Sequence, residues 1–323
     1  MIILTGGAGF IGSCLLKKLN SEGIDDIIVV DSLGETNKWK NLNGKKFIRY
    51  VEKNDFLVNI KSFLKSFEGK IDAIFHMGAC SRTTEKNVDY LLFNNFDYSI
   101  ALAGLAHENG IRFIYASSAA TYGNGTNGYN DTIFDGLEPM NPYGFSKHQF
   151  DLWVLKNGFA DEFTGLKFFN VYGPNEYHKD TMASMVFKSF NKLMETGKIK
   201  LFKSGIPEYK DGEQMRDFIY VKDVVDVMWQ IYLNNKINGI MNLGTGQART
   251  WNDLAKAVFK AAGKDTNIEY IDMPDELKNQ YQYFTQADMQ SFRKVFPDFS
   301  FTSIEDGVYD YLKNYLLSKN KYL

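Results

Sequence analysis

Cysteine is almost missing from these 323 residues: Cys14 and Cys80 are the only two, and neither stands in a Cys-x-x-Cys pair or at Cys/His ligand spacing. A disulfide framework and a structural zinc site are not expected, and no metal is assigned. The pattern suits a reducing compartment. No run approaches the ~18 consecutive apolar residues of a membrane span. The opening Met1-Ile2-Ile3-Leu4-Thr5-Gly6-Gly7 has no basic region, and its apolar run breaks at once. It is not read as an export signal, so the expected location is cytoplasmic. Neither sign of charge dominates: 37 Lys plus Arg stand against 39 Asp plus Glu, a formal net charge of −2. Proteins that live on nucleic-acid phosphate usually carry a basic excess. Neither nucleic acid nor a membrane is therefore expected as a partner. Internal repeats, low-complexity tracts and long linkers are also missing.

What remains is an ordinary globular composition, 44% hydrophobic and 24% charged, long enough for one large domain or two modest ones. Strand-length apolar runs alternate with helical patterns through the first half. Ile2–Leu4 leads to a helix carrying Phe10, Ile11, Leu15, Leu16 and Leu19. Ile27–Val30, Phe47–Val51, Asp72–His76, Phe113–Ala116 and Leu166–Phe169 read as further strands, with a helix through Tyr90, Leu92, Leu102 and Leu105. Such alternation predicts βαβ units and a mainly parallel sheet covered on both faces. After residue 172 the alternation weakens. Lys203–Asp211 reads as loop, Val221–Leu233 as a helix starting near Asp223, Ile240–Leu243 as a strand, and Trp251–Ala262 as a helix capped by Thr250. The expected division is residues 1–172 and 173–323, with chain crossings allowed.

The first strand runs into Thr5-Gly6-Gly7-Ala8-Gly9-Phe10-Ile11-Gly12, so Gly6, Gly9 and Gly12 form Gly-x-x-Gly-x-x-Gly. Glycine is needed where backbone turns tightly, approaches a pyrophosphate and lets a helix lie close to a sheet. The helix that follows aims its first amides at phosphate. Asp31 closes the second strand 19 residues past Gly12, where a ribose-binding carboxylate belongs. Asp31 favours NAD. Lys38, Lys40, Lys45, Lys46, Arg49 and Lys53 follow closely, and one or two of them meeting a 2′-phosphate would favour NADP.

Asn141-Pro142-Tyr143-Gly144-Phe145-Ser146-Lys147 holds Tyr-x-x-x-Lys, which places Tyr143 and Lys147 on one helix face. Oxidation of an alcohol needs a base, and a phenol with pKa ~10 is a poor one at neutral pH. A neighbouring ammonium favours the phenolate. Of Ser117-Ser118, which follow the strand Phe113–Ala116, Ser118 is the one carried clear of the strand, placed to bond the reacting oxygen. Taken alone, each motif is weak; together they define one chemistry.

Together these segments, with Ser117-Ser118-Ala119-Ala120-Thr121-Tyr122-Gly123 and Arg216-Asp217-Phe218-Ile219-Tyr220-Val221, resemble the extended short-chain dehydrogenase/reductase superfamily, most members of which act on nucleotide-activated sugars. The resemblance implies a Rossmann-type doubly wound α/β fold that binds NAD(P), with a smaller C-terminal α/β domain for the sugar nucleotide. Dehydratases of this superfamily usually carry an Asp-Glu pair where Ala119-Ala120 stand here. No acid pair is present to protonate a leaving hydroxyl, which leaves epimerases and simple reductases.

Two longer stretches, residues 169–184 (FFNVYGPNEYHKDTMAS from Phe168 on) and 281–288 (YQYFTQAD), together with His76-Met77-Gly78-Ala79-Cys80-Ser81, look like the ADP-L-glycero-D-manno-heptose 6-epimerase family. That resemblance covers nearly the whole chain. It implies NADP, with NAD as the alternative, an ADP-heptose substrate, inversion at C6 through a 6-ketone, a place in lipopolysaccharide core precursor synthesis, and a homo-oligomer. It implies Tyr143 and Lys179 as the two proton-transfer groups, with Lys147 and Ser118 assisting. The implied cofactor residues are Gly6, Gly9, Phe10, Ile11, Gly12, Asp31, Ser32, Lys38, Lys53, Met77, Gly78, Ala79, Cys80, Ser81, Asn94, Tyr143, Lys147, Val171 and Lys179. The implied substrate residues are Asn170, Thr181, Lys188, Phe202, Lys203, Ser204, Arg216 and Tyr281. Arg216 suits a diphosphate, which a guanidinium meets bidentately; the plainer alternative is a surface pair with Asp217.

The chain departs from the family at several positions. Met77 stands for a usual acid, Asn175 for Arg, Lys188 for His, and Asp180-Thr181 for Gly-Ser; the loop 205–214 is long. Two competing readings follow: another nucleotide-sugar epimerase or reductase working on a GDP- or UDP-linked sugar, and a catalytically silent NAD(P)-binding sensor. The retained Tyr143 and Lys147 argue against the second.

Overall fold

Parallel strands buried on both faces are built from near-continuous apolar runs, and Ile27-Ile28-Val29-Val30 is one: β2 (Ile27–Asp31) is buried at every position. In the computed structural model, which describes residues 1–67, 70–275 and 281–323, it lies in a seven-stranded sheet with β1 (Ile2–Thr5), β3 (Arg49–Glu52), β4 (Ala73–His76), β5 (Arg112–Ser118), β6 (Thr164–Phe168) and β10 (Gly239–Leu243). The strand order is β10-β6-β5-β4-β1-β2-β3. The pairs β1/β2, β2/β3, β1/β4, β4/β5 and β5/β6 are parallel. The order reverses at β1, between β2 and β4. In open sheets of this kind ligands bind beyond the carboxyl ends of the strands at that reversal.

The chain forms two compact units. The first is Met1–Gly123, Asp131–Phe168 and Val225–Met241; the second is Asn124–Asn130, Phe169–Val224 and Asn242–Leu323. In the first, α1 (Phe10–Ser21), α2 (Lys53–Ser66), α4 (Tyr98–Glu108) and α5 (Pro142–Lys156) accompany the sheet. One core joins Ile3, Ile28, Val30, Phe56, Leu102, Phe113, Tyr115 and Phe150. α5 starts sharply because the Asn141 side chain accepts the Gly144 N–H and Pro142 occupies the first turn.

The second unit holds the sheet β11-β9-β7, from β7 (Asn170–Tyr172), β9 (Met215–Tyr220) and β11 (Ala248–Thr250), and the pair β12-β8, from β8 (Ile199–Phe202) and β12 (Ile268–Ile271). It also holds α6 (Met185–Thr196) and α8 (Trp251–Ala262). Thr250 caps α8 as expected, in a reciprocal box with Asp253. Among the described residues no helix is long and apolar enough to cross a membrane.

Some boundaries differ from the sequence reading. The third strand is Arg49–Glu52 rather than Phe47–Val51, the strand expected at Leu166–Phe169 is Thr164–Phe168, and α7 (Val221–Leu233) starts two residues before Asp223. The long helix expected through Tyr90–Leu105 is α3 (Val88–Leu92), a π turn at Phe93–Asp97, and α4. The widened turn carries Asn94 and Asn95, whose side chains bond the Tyr90 carbonyl and the Cys80 backbone. π turns of this kind often mark functional sites.

Candidate active site

At the glycine loop the backbone is crowded against itself. A side chain at Gly12 would place Cβ 2.1 Å from the Gly6 carbonyl oxygen. Gly6 has φ +67° and would set Cβ 2.6 Å from the Gly78 nitrogen. Gly9 donates its N–H to the Gly6 carbonyl and starts α1 without a side-chain cap or an acid in the first turn. A helix start without its own anionic cap suits a phosphate group. Phe10 is buried and Ile11 half-buried just inside α1.

Asp31, at the end of β2, is almost fully engaged by its own chain. One carboxylate oxygen accepts the Ala8 N–H at 2.8 Å; the other accepts the Ser32 N–H at 2.7 Å and the Lys38 ammonium. Lys53 donates to Asn94 at 2.5 Å. At the end of β4, Met77 and Gly78 bond Thr5, while Ala79 and Ser81 are exposed. Asn95, which sequence reasoning missed, fixes Cys80 by both its N–H and its carbonyl and donates to Ser146 of α5 at 2.9 Å. Its only sequence signal was the Asn94-Asn95 pair inside a largely apolar helical run.

Tyr143 and Lys147 lie one turn apart on α5, and the Ser118 hydroxyl hydrogen-bonds the Tyr143 phenol. Burial raises the Tyr143 pKa above the usual phenol value, and the Ser118 bond pulls it the other way. Burial lowers Lys147 to about 8 against the pull of Asp151. Lys147 is buried, and no side-chain hydrogen bond is recorded to it among the described residues. A buried ammonium in that state suits ligand hydroxyls such as those of a ribose.

In the second unit lie Val171, half-buried in β7, and Lys179, half-buried in a short 3₁₀ turn at Tyr177–Met182. Burial lowers the Lys179 pKa and the Glu176 carboxylate raises it. Glu176, also missed from sequence, is buried and accepts the Ser184 N–H and hydroxyl and the Gly173 N–H. This loop contains both non-glycine residues with positive φ among the described residues, Asn175 at +74° and Asp180 at +47°. Asparagine tolerates that region. Asp180, where the resembling family has glycine, sits at ψ −118°, outside the left-handed well. Such strain costs roughly 1–3 kcal/mol. Asp180→Gly is therefore expected to stabilise the protein by about 1 kcal/mol after the entropy that glycine adds to the unfolded chain. The measurement is the denaturant midpoint; an unchanged or lower midpoint would refute the strain.

Arg216 is buried, with its guanidinium 5.6 Å from the Trp251 ring and 5.3 Å from the Tyr281 ring. It donates to the Met215 carbonyl at 2.8 Å. The expected alternative of a surface pair with Asp217 is corrected: Asp217 accepts from Thr245, Gly246 and Ala287 instead. Neighbours on a strand point to opposite faces, so the two side chains diverge. No carboxylate is recorded in a salt bridge with Arg216 among the described residues, which fits an anionic ligand. The Tyr281 hydroxyl accepts the Trp251 N–H at 2.9 Å; Trp251 was not foreseen. Ser204 is buried and bonds Asp211, Ile206 and Tyr283, and Phe202 is half-buried at the end of β8. Asn170, Thr181 and Lys188 are exposed. Lys203 is exposed too, in an ion pair with Asp272 at 3.0 Å.

A glycine-rich turn at the sheet reversal and a Ser-Tyr-Lys set on β5 and α5 define a nucleotide-binding oxidoreductase-like scaffold. The chain belongs to the NAD dependent epimerase/dehydratase family, whose model matches residues 2–244. More narrowly, it is 50% identical to the ADP-L-glycero-D-manno-heptose-6-epimerase of Nitratidesulfovibrio vulgaris, over 100% of both chains. It is 46% identical to the protein of the same name in Fusobacterium nucleatum, again over 100% of both. The crystal structure of the Helicobacter pylori ADP-L-glycero-D-manno-heptose-6-epimerase matches with a TM-score of 0.82 and 30% identity, over 97% of this chain and 95% of that one.

Proposed function

We propose that this protein inverts C6 of ADP-D-glycero-D-manno-heptose, giving the L-glycero epimer through a transient 6-ketone with NADP. The observation that carries the redox chemistry is the Ser118–Tyr143 hydrogen bond beside a buried Lys147. The full-length similarity to epimerases of that name supports the substrate. C6 is an unactivated carbinol, so simple deprotonation is hard. When bound, the nicotinamide cofactor supplies hydride acceptance and return at that carbon.

The rest falls to side chains. Tyr143 takes the hydroxyl proton while Ser118 holds the oxygen. Lys147 would hold the nicotinamide ribose of a bound cofactor and would favour phenolate at Tyr143. Lys179 handles the proton on the other face of the ketone; its lowered pKa suits an acid that must also release a proton. Arg216 takes the diphosphate. Lys38 supports NADP over NAD, because its contact with Asp31 offsets a charge that would repel a 2′-phosphate. Dehydration is disfavoured by Ala119-Ala120. Cytoplasmic location, homo-oligomerisation and the place in lipopolysaccharide core synthesis belong to the same proposal.

The test incubates purified protein with ADP-D-glycero-D-manno-heptose and no added nicotinamide, followed by NMR that resolves the C6 epimers. Released nucleotide is identified by mass. Appearance of the L-glycero epimer with NADP in the released fraction is expected. No conversion after NADP is added, with turnover of UDP-hexoses, would overturn the substrate.

A further inference from the structure

One buried carboxylate pairs with a buried lysine and stands one helical turn from another, Lys147, and the proposed reaction uses only the second. Asp151 lies one turn beyond Lys147 on α5, fully buried. Its oxygens accept the Tyr115 hydroxyl at 3.1 Å and the Ser117 hydroxyl at 2.7 Å, both from β5. The Lys167 ammonium, from β6, stands 3.5 Å away and is itself fully buried. Lys167 also donates to the Thr121 hydroxyl at 2.9 Å and lies 4.5 and 4.7 Å from the rings of Tyr122 and Phe134. Thr121 in turn donates to the Ser118 carbonyl at 2.9 Å.

The contacts therefore form a chain from Asp151 through Lys167 and Thr121 to the Ser118 turn, which bonds the Tyr143 phenol. At the other end Asp151 stands one helical turn from Lys147 and acts on it through charge. All of it lies in the first unit, on α5, β5, β6 and the turn after β5. A cation in the middle of a buried strand is costly unless paired, and an apolar residue would fill that place at no such cost. We propose that Asp151 and Lys167 are positioning residues that set the charge and place of Lys147 and anchor the Ser118 turn against Tyr143.

The inference rests on the catalytic reading above for its purpose, though not for its geometry. Asp151 favours a charged Lys147, and Lys167 competes for the same carboxylate. The titratable groups facing the two lysines are Tyr143, His148 and Asp151 from α5, Tyr115 from β5, His76 from β4, and Tyr122 and Asp131 from the segments after β5. Among them Asp151 and Asp131 are the acids, and only Asp151 acts on Lys147.

Removing either partner should therefore move Lys147 in opposite directions. Asp151→Asn leaves the ammonium without its anion, so it deprotonates at lower pH; Lys167→Met frees the carboxylate, so it deprotonates at higher pH. A close charge shifts a pKa by roughly one unit or more. The first readout is NMR of the full chain as purified, labelled with 13C at lysine Cε, with Lys147 assigned by the signal lost in Lys147→Met. The second is the pH profile of epimer conversion. For Asp151→Asn the alkaline limb moves down by roughly one pH unit, and kcat at pH 8 falls about fivefold with KM within twofold. For Lys167→Met the limb moves up, and Lys167→Arg restores the wild-type titration. If Asp151→Asn does not fold, the two Lys167 variants carry the test. Shifts in the same direction, no shift, or a change confined to KM would overturn the proposal. The lysine titration needs no substrate, so failure to turn over ADP-heptose counts against the proposed function alone.

Discussion

Tyr143→Phe is expected to lower kcat for epimer interconversion at least ~100-fold, the usual scale of a general acid–base group. The substitution removes one oxygen and keeps the ring, so substrate and cofactor affinity should change little. Stability should fall by only about 1 kcal/mol, the net worth of the lost Ser118 hydrogen bond. The raised Tyr143 pKa sharpens the expectation. Until a ligand adds positive charge nearby, the phenol stays protonated at neutral pH, so the wild-type rate depends on that charge and the variant has nothing for it to act on. The check is the NMR conversion assay with both proteins at equal cofactor content. Wild-type turnover by Tyr143→Phe would remove the catalytic assignment.

Lys179→Met is expected to cost interconversion a similar ~100-fold, equally in both directions, because one catalyst must speed forward and reverse steps alike. Methionine keeps an unbranched stem, with sulfur for the δ-carbon, and loses the ammonium together with its charge interaction with Glu176. The Lys179 N–H bond to the Glu176 carbonyl, 2.9 Å, is backbone and survives. The loop should therefore keep its shape, and binding of the sugar nucleotide should stay within a few-fold. Equal losses in kcat and kcat/KM would mark an interaction made only in the transition state. A raised KM with unchanged kcat would recast Lys179 as a binding residue.

The first unit was the more legible one, for a physical reason. Its strands are short apolar runs covered on both faces, and its turn is fixed by glycines whose Cβ would collide with backbone; both leave marks in composition. α2 went unread, although among the described residues its buried Phe56 and Ile60 stand four apart and Leu57 and Phe63 pack on the same core. In the second unit β7 and β11 have three residues each, too short to show a period. Residues whose importance is relational were the hardest to read. Lys167 looks like any lysine until Asp151 and Thr121 are seen beside it, although its place within Leu166-Lys167-Phe168 of an apolar strand was a usable signal. Arg216 was legible as a candidate, but only the fold shows Asp217 turned away. Lys179 came from resemblance alone; spacing gives no reason to choose it over other loop lysines.

The glycine turn has a consequence for time rather than for contact. Gly9 N–H to Gly6 carbonyl, Ser13 N–H to Gly9 carbonyl, the Asn41 amide to the Ala8 carbonyl and the Ala8 N–H to Asp31 already hold the loop in one shape. A loop ordered in advance loses little freedom when a dinucleotide arrives, and that saving favours slow departure. A reaction that borrows hydrogen from a molecule and returns it to the same molecule never needs a fresh carrier. Long residence, a fault in a dehydrogenase that must exchange its coenzyme every turnover, is here an advantage.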